Sequence, residues 1–142
     1  MFSIRIVAIF LICFPLDSST TVWPWGAKVR AQKISEKLQL RLQSPNSTLA
    51  DIEELFAPDF VHTRCFLAYN RAQFVSLLLL CNKYIQYKQT VLDAQYNDDL
   101  GSSLNFIANV TRFYESQQEV VHFVMNGSVI VQGEKLDCRR GV

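Results

Sequence analysis

The chain has 142 residues, 49% hydrophobic and 19% charged, with a net charge of +1. Such a composition belongs to a folded globular chain and excludes a disordered or low-complexity one. A balance this close to neutral supplies no overall field for holding nucleic acid, so no nucleic-acid partner is expected.

Arg5 precedes the apolar run Ile6 to Phe14, and Pro15, Leu16, Asp17 and the small-residue cluster Ser18 to Thr21 follow. Basic, apolar and small residues in that order form a secretory signal peptide. Residues 1–20 are read as that signal and residues 21–142 as one mature domain, secreted to the extracellular space. A spanning helix needs roughly 20 apolar residues. Asp17 ends this run too soon, so no membrane span is expected after signal removal. The mature length suffices for a core of its own.

Cys13 leaves with the signal, and Cys65, Cys81 and Cys138 remain. An oxidising compartment permits a bridge, and three thiols allow one pair plus one free cysteine. Cys81 follows Phe74, Leu77 and Leu78 at helical spacing, which suits a small buried hydrophobe. The simplest pairing is then Cys65–Cys138. Cys81–Cys138 and an intermolecular bond are the alternatives.

Val22-Trp-Pro-Trp25-Gly26 reads as an extended lead-in. Ala27 to Leu42 reads as a helix, with Ala27, Ala31, Ile34, Leu38 and Leu42 on one stripe. Beside it run Arg30, Lys33, Lys37 and Arg41. The plain reading of this basic stripe is a solvated flank, and the sharper one is contact with an anionic partner or membrane surface. Ser44-Pro45-Asn46-Ser47 breaks the helix. Thr48 then caps a short helix from Leu49 to Phe56, with Asp51 three residues on. Ala57-Pro58 ends it, and Asp59 to Leu67 reads as a strand. Asn70 caps the next helix with Gln73, ahead of the apolar body Phe74 to Leu80. Tyr84 to Tyr96 reads as a strand with a bulge near Gln89-Thr90, and Asn97 to Gly101 is a turn. Leu104, Phe106, Ala108 and Val110 alternate with polar neighbours. Gln117 to Met125 and Ser128 to Leu136 flank Asn126-Gly127, a type I′ hairpin signal.

Helices followed by a run of antiparallel strands define an α+β fold, with N-terminal helices packed in a curved, mainly antiparallel sheet. The element order, "LADIEELFAPDFVH" and "NRAQFVSLLL" after a strand together resemble the nuclear transport factor 2-like (SnoaL-like) domain, over about Ala27 to Cys138. The resemblance implies a cone-shaped sheet wrapped around a long helix. The short C-terminal strands point to a shallow or incompletely closed cone. The resemblance also implies that a homodimer through the sheet is open to this chain.

Asn46-Ser-Thr48, Asn109-Val-Thr111 and Asn126-Gly-Ser128 are N-glycosylation acceptors. Asn46 falls in a helix break, Asn109 opposite the apolar face of its strand, and Asn126 at a hairpin tip. All three are surface positions, and a sugar on Asn109 would block a sheet-to-sheet dimer.

No catalytic or metal-binding motif of known spacing occurs. His62, His122 and scattered cysteines make no zinc cluster, so no metal and no cofactor is expected. The resemblance implies one enzymatic reading, a small-molecule isomerase, cyclase or dehydratase using His62, Asp93, His122 or Tyr87 inside the cone. A carboxylate or imidazole there would act as a general base tuned by apolar walls. No motif ties these residues together, and the balance is against an enzyme. The favoured reading is non-enzymatic binding of a small apolar ligand or an extracellular protein. Phe60, Phe66, Phe74, Leu92, Phe106, Val110 and Phe123 would line the cone. An apolar ligand requires a cavity of at least about 300 Å³. A third reading, a cystatin-like protease inhibitor, meets His122 where the Q-x-V-x-G wedge of that fold needs glycine, inside Gln118-Glu-Val120-Val-His122.

Overall fold

The computed structural model describes residues 24–84, 86–111 and 118–138. The signal peptide read over residues 1–20 lies outside these, as does Gln117. The first helix, α1 (Pro24–Gln43), starts earlier than expected. Proline suits a first helical position because it has no N–H to leave orphaned, so part of the supposed lead-in is helical. Ala27, Ala31, Ile34, Leu38 and Leu42 are all buried, as the stripe predicts.

The basic stripe divides. Arg30 donates to the carbonyl oxygens of Gly101 and Gly127, stitching α1 to two turns, and its guanidinium lies over the Tyr96 ring. Arg41 donates to the Asp51 carbonyl and pairs with Glu54. Two of the four cations are therefore structural, while Lys33 and Lys37 remain exposed.

The second helix, α2 (Leu49–Glu53), is shorter than expected. Its capping box is complete: Asp51 N–H donates to the Thr48 hydroxyl, and Thr48 N–H donates to Asp51 Oδ2 at 2.7 Å. The bond from the Thr48 backbone, then that from its hydroxyl, holds the Asp51 carboxyl below its ordinary value of 3.8. A depressed carboxyl contributes stability that is full above the unfolded value and fades as pH falls through the folded one. Asp51→Asn should therefore flatten the acid limb of a stability-versus-pH curve below about pH 4. Thermal melts from pH 2 to 7 would check this, and unchanged steepness in the variant would contradict it.

Phe56 opens a strand instead of closing a helix. This strand, β1 (Phe56–Arg64), takes in Pro58 where its pairing slips between Phe56 and Val61. Such an irregularity is where a strand tolerates proline. At Cys65, with a left-handed φ of 54°, the chain turns back into β2 (Leu67–Asn70), a strand the sequence did not separate from β1. The helix α3 (Arg71–Tyr84) follows, with the reciprocal Asn70–Gln73 cap as expected. Then come β3 (Lys88–Tyr96), β4 (Ser103–Thr111), β5 (Gln118–Asn126) and β6 (Val129–Lys135).

The strands form one sheet in the order β2-β1-β6-β5-β4-β3, antiparallel except for the β1–β6 pair. The sheet is curved and unclosed, and the helices cover its inner face, α1 against β3 and α3 against β1. The α+β class stands, with a mixed sheet in place of a wholly antiparallel one. The last hairpin differs by one residue from its sequence reading. Asn126 pairs with Val129, so the turn residues are Gly127 and Ser128, and Gly127 alone has a positive φ, 59°. One left-handed residue at the first turn position is the type II′ pattern rather than I′. Cys65 and Cys138 are bridged, with Cα atoms 5.3 Å apart, and Cys81 is free.

Candidate functional site

Alternation sorts the strand residues into an inner face under the helices and an outer face. Phe60 and His62 from β1, Val110 from β4, and Glu119, Val121 and Phe123 from β5 are buried on the inner face. Tyr87, just ahead of β3, is buried with them. His62 lies against Phe74, with ring centroids 4.5 Å apart. Gly133 makes room for it, since a Cβ there would stand 2.6 Å from His62 Nδ1.

Two polar groups at this end are already engaged. Tyr87 donates its hydroxyl proton to Gln89 Oε1. Gln89 Nε2 donates to Ser35 Oγ at 2.6 Å, and Ser35 donates to the Ala31 carbonyl. That chain ties the tyrosine to α1. Glu119 Oε1 accepts from Arg64 Nη2 at 2.9 Å and Lys135 Nζ at 3.0 Å. One buried carboxylate thus serves two cations, one from the adjacent β6 and one from β1 beyond it. Glu119 was not among the sequence candidates. Its signal was phase: it alternates with Val121, Phe123 and Met125, so it falls on an apolar face where a carboxylate needs partners.

His62, Phe74, Leu77, Cys81, Tyr87 and Glu119 border a cavity of about 40 Å³, closed further by Val110 and Phe123. That is space for a water molecule or so. Small-molecule sites run from about 300 to 1,000 Å³. The interior is instead filled by ring packing, with Phe56 against Phe60 at 4.8 Å and Phe106 against Phe123 at 5.1 Å. Inside the cone, as the described residues form it, the space an apolar ligand requires is not reached.

Of the catalytic candidates, His62 and Tyr87 come together at the cavity, whereas Asp93 and His122 do not. Asp93, Ile107, His122 and Glu134 share one cross-strand row on the outer face. The cause is the bulge, which falls at Leu92 rather than near Gln89-Thr90. It inserts one residue after the inward Val91 and turns Asp93 outward. Of the expected lining, Phe60, Phe74, Phe106, Val110 and Phe123 are buried, while Leu92, the bulge residue, is exposed. Phe66 sits at the tip of the β1–β2 turn and is 95% exposed. Among the described residues, no group of three His, Cys, Asp or Glu side chains is placed to hold a metal.

A curved, unclosed sheet with helices on its inner face and a small cavity between them defines the class. The chain belongs to the NTF2-like domain family, whose model matches residues 28–140. No curated protein matches the sequence. Solved structures share the fold at low identity. A protein of unknown function with a cystatin-like fold from Methylobium petroleophilum is 8% identical, with a TM-score of 0.56, 86% of this chain and 82% of that one covered. An NTF2-like protein of unknown function from Cytophaga hutchinsonii is 6% identical, with a TM-score of 0.52 and coverage of 77% and 87%. A putative polyketide cyclase from Sinorhizobium meliloti is 13% identical, with a TM-score of 0.51 and coverage of 73% and 94%.

Proposed function

We propose that the chain is a secreted, N-glycosylated, non-enzymatic binding domain that takes an extracellular protein partner on its surface. Residues 1–20 are the removed signal and residues 21–142 the mature domain. The filled cone carries this reading: about 40 Å³ admits no ligand-sized molecule, which leaves the surface for recognition. The Cys65–Cys138 bridge suits an oxidising compartment. No helix among the described residues is long and apolar enough to cross a membrane.

The acceptor positions agree with this reading. Asn46 and Asn126 are exposed. Asn109 lies on the outer face, between Thr90 and Val120, with Nδ2 donating to Gln118. A sugar there keeps the outer face from pairing with a second copy.

Intact mass of the protein secreted by a eukaryotic cell, before and after N-glycan removal, tests the proposal. A start near Ser19 to Val22, sugar shifts lost in Asn46→Gln, Asn109→Gln and Asn126→Gln, and one free thiol are expected. A full-length, sugar-free, fully reduced chain would overturn it.

A second reading keeps small-molecule catalysis, because His62, Tyr87 and Glu119 do meet at one cavity, and the Sinorhizobium meliloti neighbour is a putative polyketide cyclase. Substrate would have to displace the packed rings, and the Tyr87 and Glu119 contacts described above would have to be surrendered.

A further inference from the structure

The inner face of the sheet ends in charge. Alternation leads from His62 to Arg64 on β1, from Gly133 to Lys135 on β6, and from Phe123 through Val121 to Glu119 on β5. The parallel register of β1 with β6 runs as far as Thr63 beside Glu134, so Arg64 and Lys135 are each the next residue beyond it. Both donate to Oε1 of Glu119, at 2.9 and 3.0 Å. The Glu119 side chain is only 7% exposed, and it borders the cavity of about 40 Å³ beside His62. Glu119 is thus the part of the cavity wall that the two cations hold in place.

The disulfide braces the same corner. Cys65 follows Arg64 directly, and Cys138 lies three residues after Lys135. The bridge therefore ties together the two strand ends that carry the cations, and strand ends are where a sheet opens most easily. Cys65 is exposed and Cys138 partly so, which leaves the bridge within reach of a reductant in solvent. Cys65 is also held at a φ of 54°, a left-handed angle unfavourable for a residue with a side chain. Breaking the bridge frees this turn to relax. A buried carboxylate that loses its cations is strongly destabilised where it stands, so their departure draws water to Glu119.

We propose that the Cys65–Cys138 bridge is a redox latch on the cavity. A dithiol passes two electrons and two protons to the bridge. The Sγ–Sγ bond breaks, each cysteine becomes a thiol, and the two sulfurs of the donor join in a disulfide of their own. The ends of β1 and β6 then separate, Arg64 and Lys135 leave Glu119, and the cavity wall opens to water while the rest of the sheet stays paired. The latch acts on the interior and is independent of what the surface binds.

Cys81 supplies the probe, being a free thiol that borders the same cavity as Glu119. With Cys65→Ser and Cys138→Ser together, it is the one thiol left in residues 21–142. Iodoacetamide should alkylate Cys81 in this variant at least about tenfold faster than in the oxidised wild type, under conditions where circular dichroism shows both folded. Arg64→Gln with Lys135→Gln, the bridge intact, should speed the reaction likewise. Where a variant fails to fold, hydrogen exchange of the wild type before and after dithiothreitol decides. Protection should fall at Glu119 to Val121 and at Gly133 to Lys135, and hold along α1 and β4. Equal alkylation rates in the three proteins, a fast rate in the serine variant alone, or protection lost evenly through the chain would overturn the latch.

Discussion

Replacing Cys65 and Cys138 together by serine should lower the unfolding free energy by roughly 4 kcal/mol. The bridge closes a loop with a sequence separation of 73 residues, and chain entropy grows with the logarithm of loop length. Domains of this size are stable by about 5–15 kcal/mol, so the loss is a large share of the total. The location adds to the effect. The bridge joins the turn after β1 to the segment after β6, and these two strands form the one parallel pair in the sheet. Urea unfolding of the oxidised wild type and the double variant would measure the difference. A change below about 1 kcal/mol would mean that the link constrains the unfolded chain far less than its length implies.

Phe123→Ala should cost a comparable amount, about 3–5 kcal/mol, because the cavity it leaves adds to the lost transfer energy. Phe123 is buried against Phe106 and borders the existing cavity, so removing its ring enlarges that space. A dry apolar cavity of such size takes up small hydrocarbons. The variant should therefore bind benzene or xenon where the wild type does not. Calorimetry would read the stability, and a xenon-derivatised crystal would read the cavity. Wild-type uptake equal to that of the variant would mean that the cone is already open.

Much of the fold was legible because its signals are local. The apolar stripe of α1, the Thr48–Asp51 and Asn70–Gln73 caps and the alternation of β4 each fix an element within a few residues. Legibility failed where tertiary pairing overrides local preference. Ala57-Pro58 reads as a helix stop and a strand start, yet Phe56 already belongs to β1, through parallel pairing with Ile130, 74 residues later in the chain. β2 was hidden because the turn at Cys65 depends on an unusual backbone angle that no Gly or Asn announces.

The site was legible in type but not in placement. A single inserted residue inverts everything beyond it on a strand, so the presence of the bulge turned Asp93 outward and its position decided that Leu92, expected in the cone lining, is exposed. Glu119 was overlooked because its two partners, Arg64 and Lys135, lie on other strands, and no spacing rule connects them. Phe66 carries ordinary core chemistry, and its exposure at a turn tip follows from the hairpin geometry rather than from its residue type.

The central claim is that the cone is filled and recognition takes place at the surface. Native mass spectrometry of the protein purified from eukaryotic culture medium, compared with its denatured mass, tests this most directly. The two masses should agree, each being the glycosylated polypeptide after signal removal with no small molecule retained. A native increment of a few hundred daltons that disappears on denaturation would reveal an occupied interior and contradict the account.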